Sequence, residues 1–193
     1  MRAARLAVGN GVAIMVDTNC PWTPEQARHM TLKLRPYDLH WLEEPIFPPE
    51  DFTAIARLRA GTGVPMAAGE NNCTSFQFRD MFAAGAVDYA QPSVTKLGGV
   101  TEFLKVATLA DAAGVTLMPH SPYFGPGFLA TLQLMAARGS PDGMIERYHM
   151  DLEASLYGEL VSPVKGSFVV PTGPGLGRDP DPDVIKTYGN SSS

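Results

Sequence analysis

Short β-rich runs alternate with helix-like stretches along nearly the whole 193-residue chain, and this alternation constrains the fold more than any other feature. Six such runs occur, at residues 12–17, 39–44, 64–70, 87–92, 115–121 and 143–148. Most are continuous apolar segments, which is typical of parallel strands that are covered on both faces. The pattern therefore predicts a parallel α/β architecture of six strands with five or six helices.

The stretches between these runs carry helix boundary signals. Residues 101–114 place apolar side chains on one stripe and close with Gly114. Residues 23–34 begin with a candidate threonine cap, a proline at the first helical position and a glutamate in the first turn. Segments 48–63 and 74–86 show the same behaviour and reach a glycine near their ends, so each is predicted to form a helix.

A polar residue stands at or just past the carboxyl end of every predicted strand. Successive members of this set are 23 to 27 residues apart, about one βα unit; they are Asp17, Glu43, Glu70, Ser93, His120 and Glu146. In a (β/α)₈ barrel the carboxyl ends of the strands meet on one face, where active sites are built. We therefore expect these side chains to share one site.

The sequence pairs two acids at the end of the second run, in His40–Asp51 "HWLEEPIFPPED". Adjacent strand residues point to opposite faces, so only one of Glu43 and Glu44 can enter the barrel mouth. Pro45 then closes the strand because it lacks the N–H that a ladder requires. We assign Glu43 to the inside.

Three carboxylates on consecutive strands indicate a metal site. Asp17, Glu43 and Glu70 would repel one another in a partly dry pocket unless they are protonated or neutralised. Mg²⁺ prefers such oxygen ligands, whereas zinc, which Cys20 and Cys73 could serve, is less favoured. The alternative is that each acid caps the following helix or lies in solvent.

His120 and Glu146 are candidates for proton transfer at the same face. The ordinary pKa of histidine, about 6.5, suits acid–base work near neutrality, although a histidine after an apolar strand can also be purely structural. Glu146 could hydrogen-bond a developing oxyanion or simply pair with Arg147.

Composition excludes several classes of protein. The net charge is −5 and the pI about 5.3, which argues against nucleic acid or an anionic membrane as a partner. No apolar run reaches the roughly 18 residues of a membrane span. Two cysteines without a metal-binding motif favour reduced thiols and a cytoplasmic location.

Six stretches together resemble the enolase superfamily, in particular its mandelate racemase/muconate lactonizing enzyme branch. They are "MVDTNCPW", "WLEEP", "AAGEN", "QPSVTKLGGVTE", "PHSPYFGPG" and "IERYH". The resemblance implies that Asp17, Glu43 and Glu70 end barrel strands three, four and five and bind Mg²⁺. It also implies that His120 follows strand seven as acid or base, and that Glu146 ends strand eight as a hydrogen-bond donor. The implied reaction is removal of the α-proton of a carboxylate substrate to give an enediolate.

The resemblance carries two departures. Ser93 stands where mandelate-racemase-like members usually have an aspartate that orients the histidine, and a serine brings no charge to the imidazole. The chain also resembles only strands three to eight of a (β/α)₈ TIM-like barrel, with the N-terminal capping domain absent. Residues 1–170 are accordingly expected to form a partial barrel domain, and the Pro/Gly-rich residues 171–193 to return toward the missing domain.

We therefore expect Mg²⁺-dependent dehydration of a hydroxy or sugar acid, in a homo-oligomer as is common among related proteins. Without an Asp–His pair, dehydration is favoured because His120 can protonate the departing hydroxide. Two alternatives stay open. One is a racemase or epimerase of the same family, and the other is a truncated, non-catalytic remnant that binds a metal.

Overall fold

A computed structural model describes residues 1–189 and shows five parallel strands in one sheet. The strands lie side by side in chain order; they are β1 (Ile14–Asp17), β2 (Leu39–Glu43), β3 (Met66–Ala68), β4 (Tyr89–Ala90) and β5 (Thr116–Leu117). Because neighbours are parallel and follow one another, all carboxyl ends lie at one edge of the sheet. The predicted α/β class is confirmed, and a partial barrel is consistent with it.

Four helices connect successive strands where the boundary signals predict them, and the described residues contain seven helices rather than the expected five or six, because further helices lie before the first strand and after the last. The seven are α1 (Arg2–Val8), α2 (Pro24–Leu34), α3 (Phe52–Thr62), α4 (Ser75–Ala83), α5 (Val100–Ala113), α6 (Pro126–Arg138) and α7 (Pro182–Tyr188), with 3₁₀ turns at Arg35–Tyr37 and Gly158–Val161. Thr23 and Thr74 each form a reciprocal capping box with the residue three positions on. Gly114 ends α5 in the left-handed conformation, as the sequence predicts. No helix within residues 1–189 is long and apolar enough to cross a membrane.

Two apolar layers sandwich the sheet. The larger layer, the main core, lies between the sheet and its helices, and Leu42, Phe78 and Phe103 are fully buried there. A smaller layer on the inner side contains Trp41 and Met118. The sheet therefore has an inner surface distinct from its helix-covered surface, as a barrel wall requires.

A bulge shifts the register between β1 and β2. Ile14 aligns with Leu39 but Met15 aligns with Trp41, so His40 is the extra residue. Both His40 and Trp41 stack on the ring of Tyr89, with centroids 5.0 and 5.1 Å away. The bulge therefore brings two adjacent side chains to the same aromatic cluster.

The prediction of a sixth strand at 143–148 is wrong for the part of the chain that the structure describes. This segment runs beside β5, but its hydrogen bonds to residues 118–121 use side-chain atoms: Met144 N–H donates to Met118 Sδ at 3.2 Å, and Ser121 N–H donates to Glu146 Oε2 at 3.1 Å. A strand needs a main-chain ladder, and this segment has β5 on one side and no described strand on the other. Its β-rich composition could not reveal that missing neighbour.

The predicted C-terminal segment contacts the rest of the chain over its described part. Gln133 Nε2 donates to the carbonyl oxygen of Pro171 at 2.7 Å, and Leu176 packs against the main core. The boundary at residue 170 stays a prediction, and residues 190–193 of that segment lie outside the described residues.

Candidate active site

A cavity of about 750 Å³ opens at the carboxyl ends of the strands. Five of the six residues that the sequence singled out line it; they are Asp17, Glu43, Glu70, His120 and Glu146. The parallel register explains the meeting, because Asp17 aligns with Glu43 across β1 and β2, and the other three follow the ends of β3 and β5 or lie beside them. Ser93 does not line the cavity.

Glu43, Glu70 and His120 form the centre of the site. One ligand-capable atom from each lies within 4.8 Å of the others. Asp17 adds a fourth group close enough for its negative charge to raise the pKa of Glu43. The negative charge of Glu70 in turn helps to raise the pKa of Asp17.

Glu43 has the most strongly perturbed carboxyl group of the site. Burial raises its pKa to about 7, and the charge of Asp17 adds to this effect. Trp41 Nε1 donates a hydrogen bond to Glu43 Oε2 at 3.0 Å and opposes the shift. Burial is likewise the largest cause of the raised pKa of Asp17, whose Oδ1 accepts the backbone N–H of Asn19 at 2.9 Å.

His120 contacts two carboxylates. Its Nδ1 lies 2.8 Å from Glu70 Oε2 and 3.5 Å from Glu146 Oε2. Burial opposes the charged imidazolium, but the hydrogen bond and charge of Glu70 outweigh burial and raise the pKa of His120 above its ordinary value. The same hydrogen bond lowers the pKa of Glu70, while burial raises the pKa of Glu146. The two carboxyl groups beside the imidazole therefore differ in pKa, which is lowered for Glu70 and raised for Glu146.

Ser93 is fully buried next to this centre and bonds other hydroxyl groups. Its Oγ lies 2.7 Å from the Tyr123 hydroxyl and 3.0 Å from Thr95 Oγ1. The Tyr123 ring is nearly perpendicular to the imidazole of His120, with ring centroids 5.9 Å apart. Glu70, rather than Ser93, therefore takes the position of hydrogen-bond partner to His120.

The donor set fits a hard divalent cation. Asp17, Glu43 and Glu70 present carboxylate oxygens to one cavity, and the pKa of two of them is raised by burial and by neighbouring negative charge. A dication at this place would relieve that repulsion, and oxygen donors are those that Mg²⁺ prefers. Neither cysteine belongs to the cluster: Cys20 Sγ is 3.2 Å from Glu44 Oε2 and Cys73 is exposed. A site built on cysteine and zinc is therefore not what these residues form.

Two lining residues with side-chain amides, Asn19 and Gln91, are among those that escaped the sequence reasoning. Asn19 follows Asp17 by two residues, in the loop after β1, and adopts a positive φ of 53°. Gln91 is 3% exposed, and its Oε1 has no hydrogen-bond partner among the described residues. The sequence pattern selects Ser93 just past the end of β4, whereas the residue that lines the cavity is Gln91, two positions earlier.

A family model described as enolase C-terminal domain-like matches residues 1–184. The chain belongs to this family. The resemblance to the mandelate racemase/muconate lactonizing enzyme branch of the enolase superfamily is thereby confirmed, and curated relatives support it. D-Galactarolactone cycloisomerase of Agrobacterium fabrum is 33% identical over 96% of this chain and 51% of the relative. D-Galactonate dehydratase of Klebsiella pneumoniae is 33% identical over 94% of this chain and 49% of the relative.

Solved structures of the enolase superfamily have the same fold. A mandelate racemase/muconate lactonizing enzyme-like protein of Rubrobacter xylanophilus superposes with a TM-score of 0.88 at 31% identity, over 98% of this chain and 49% of that one. L-Talarate dehydratase from a Polaromonas species, complexed with Mg and L-glucarate, gives 0.83 at 31% identity over 97% and 49%. The chain therefore spans about half the length of the relatives it matches.

Proposed function

We propose that this chain supplies the metal ligands and the acid–base groups of a sugar-acid dehydratase of the enolase superfamily. The observation that carries the proposal is the convergence of Glu43, Glu70 and His120 within 4.8 Å of one another in the cavity that Asp17 also lines. The relatives add the substrate class, since those named above are a sugar-acid dehydratase and a sugar-acid lactone cycloisomerase. The proposed reaction is abstraction of the α-proton of the acid, followed by loss of the β-hydroxyl group.

Asp17, Glu43 and Glu70 would hold Mg²⁺ in this proposal. When bound, Mg²⁺ supplies positive charge that stabilises the negative charge developing on the substrate carboxylate. The three acids come from successive strands, so the sheet fixes their backbone spacing. His120 then remains as the nitrogen base beside them.

His120 is the proposed acid and base. It lines the cavity with its side chain 15% exposed, so it can meet a substrate while little water surrounds it. In its neutral form it accepts the α-proton, and the resulting imidazolium returns a proton to the departing hydroxide. The carboxylates that raise its pKa make it able to hold that proton near neutrality.

Glu146 is the proposed hydrogen-bond donor to the enediolate oxygen. Burial raises its pKa, which favours the protonated form that can donate. Its Oε2 also accepts the backbone N–H of Ser121, the residue after His120, so it lies on the same side of the cavity as the imidazole. Ser93 contributes through Tyr123, whose ring packs against His120.

Isomerisation is the second candidate. Two relatives are cycloisomerases of sugar-acid derivatives, and one of them is 33% identical over 96% of this chain. Cyclisation and dehydration share the first step at His120 and differ in the fate of the enediolate. Product analysis by mass spectrometry separates them, because only dehydration removes the mass of one water.

The function is tested with the full-length gene product, Mg²⁺ and a panel of aldonic and aldaric acids in D₂O. The expected result is turnover of at least one acid, with deuterium at the former β-carbon of the dehydrated product and exchange of the α-proton for deuterium in recovered substrate. Replacing His120 by Asn should slow that exchange by about 10²- to 10⁴-fold, as expected when a general base is removed. His29→Asn, an exposed change on α2, is the matched control and should leave the rate unchanged. An unaltered rate in the His120 variant, or no exchange with any acid, contradicts the proposal.

The metal site is tested separately by calorimetry. Loss of a residue that only supports a metal ligand weakens metal binding by about 10- to 100-fold. Because Glu43 is a proposed ligand itself, Glu43→Gln should weaken Mg²⁺ binding by more than this. Glu50→Gln removes a charge from an exposed position seven residues later and should leave the affinity within about twofold, because exposed charges are screened. Equal titration curves for the two variants would remove Glu43 from the metal site.

A further inference from the structure

Glu44 contacts the loops that follow two other acids of the site. The residue is 2% exposed, although it carries a carboxyl group. Its Oε2 accepts a hydrogen bond from Asn71 Nδ2 at 2.7 Å and another from Cys20 Sγ at 3.2 Å. Asn71 directly follows Glu70, and Cys20 lies three residues after Asp17. One oxygen atom therefore joins the loop after β1 to the loop after β3.

Main-chain bonds of the same segment strengthen the connection. The N–H of Cys20 donates to the carbonyl oxygen of Glu44 at 2.6 Å, and Thr18 Oγ1 donates to the carbonyl oxygen of Glu43 at 2.8 Å. On the other side, Glu44 N–H donates to the carbonyl oxygen of Ala67 at 3.1 Å. These hydrogen bonds attach the loop after β1 to residues 43–44, and they attach residues 43–44 to β3.

The backbone of this region adopts conformations that its residues do not favour. Glu44, Asn19 and Cys20 have positive φ angles of 43°, 53° and 54°. Residues with a Cβ atom occupy this left-handed region at a cost, and they hold it where surrounding contacts fix it. Together with the hydrogen bond from Asn19 N–H to Asp17 Oδ1, the contacts of Glu44 hold these conformations in the β1 loop and in its own turn.

Filling the buried space at Glu44 with a carboxyl group costs free energy. Burying a polar group costs free energy unless hydrogen bonds compensate, and Glu44 Oε1 has no partner within residues 1–189. A leucine would occupy a similar volume without that cost. Packing alone therefore does not account for Glu44, whereas the two bonds to its other oxygen do.

We propose that Glu44 is a positioning residue that sets the separation of Asp17 and Glu70 around Glu43 by holding Cys20 and Asn71 on one carboxylate oxygen. The proposal rests on the metal site put forward above. Glu44 itself does not line the cavity and contacts neither substrate nor metal in this scheme.

Two substitutions at this position separate the hydrogen bonds from packing. Glu44→Leu removes the acceptor and leaves Asn71 Nδ2 and Cys20 Sγ without it, whereas Glu44→Gln keeps an amide oxygen in the same place. The first measurement is hydrogen exchange of the metal-free protein. We expect the amides of residues 17–22 and 69–73 to exchange about tenfold faster in the Leu variant, because local opening no longer breaks these bonds. The Gln variant should restore most of the protection.

The second measurement is Mg²⁺ affinity by calorimetry. The Leu variant should bind about 10- to 100-fold more weakly, the range seen when a residue that orients a ligand is lost, and the Gln variant should recover most of this. Glu50→Leu is the matched control, since it makes the same change at an exposed site nearby. If the Leu variant does not fold, Asn71→Ala, an exposed change that removes one of the two donors, should show the same effects in the loop 69–73.

The outcomes distinguish this inference from the proposed function. If the wild-type protein binds no Mg²⁺, the proposed function fails, and exchange in the two loops still decides the role of Glu44. If exchange in both loops is unchanged in a folded Leu variant, Glu44 does not position them and the inference is overturned. Weakening of equal size in the Leu and Gln variants also overturns it, because the acceptor atom would then not matter.

Discussion

Replacing Gly69 by alanine is predicted to destabilise the fold. Gly69 precedes Glu70 and adopts a φ of +128°, which side chains with a Cβ atom rarely tolerate. A Cβ at this position would lie 2.7 Å from Phe78 Cε1 and 3.0 Å from Cζ of the same ring. The ring is fully buried in the main core, so it has no free space into which it can retreat.

The expected magnitude follows from these two effects. Backbone strain of this kind costs about 1–3 kcal/mol, and forcing extra volume into a packed core costs about another 1–3 kcal/mol. Gly69→Ala should therefore lower the free energy of unfolding by about 2–6 kcal/mol. This is a large part of the total for an ordinary domain, about 5–15 kcal/mol.

Gly61→Ala is the matched control, and its predicted effect has the opposite sign. Gly61 lies inside α3, is exposed, and has nothing within 4 Å of the added Cβ. Alanine there should stabilise the protein by about 0.5–1 kcal/mol, because glycine is the poorer helix former.

The assay is urea unfolding followed by circular dichroism, with an unchanged dependence on denaturant concentration as the check that the same two states are compared. A Gly69→Ala protein within about 1 kcal/mol of the wild type would refute the reasoning, given the strain and overpacking expected. So would destabilisation of equal size in the Gly61 variant, because backbone conformation and space would then not be what distinguishes the two positions.

Three further predictions concern the site and the scaffold. A proton on Glu43, whose pKa is raised to about 7, competes with the metal. Mg²⁺ affinity measured by calorimetry should therefore fall about tenfold per pH unit below pH 7 and level off above it. An affinity that does not change with pH would contradict this prediction. Burial raises the pKa of Asp88, but the hydrogen bond that Arg59 donates helps to lower it, and the net pKa is below the ordinary aspartate value. Asp88 therefore contributes stability above the ordinary aspartate pKa, and this contribution is lost as the pH falls through the folded-state pKa. Asp88→Asn should thus cost about 1 kcal/mol in thermal unfolding at pH 7, since both side chains are partly exposed to screening solvent, and an equal cost at about pH 2 would argue against the ion pair. Thr74→Ala should cost about 1 kcal/mol in urea unfolding by removing the acceptor for Gln77 N–H, whereas Thr74→Ser should cost little; equal losses would exclude capping as the cause.

Much of the fold was open to prediction because its signals are local. Helix boundaries follow from residues such as Thr23 and Gly114, whose caps depend on neighbours three or four positions away. The placement of Asp17, Glu43, Glu70 and His120 in one cavity follows from a regular repeat, because each of them lies at or just past the carboxyl end of a parallel strand. The same locality misled at 143–148, where a β-rich run found no ladder partner among the described strands.

The amino-acid sequence by itself determined the order of the βα units, the positions of the caps, and which side chains stand at the carboxyl end of the sheet. Tertiary structure alone decided which of their atoms meet. His120 contacts Glu70 across 50 residues of chain, Ser93 bonds Tyr123 rather than the imidazole, and Glu44 joins loops that lie 24 and 27 residues away. These pairings depend on side-chain rotamers and on the distance between neighbouring strands, and neither quantity is encoded in local periodicity.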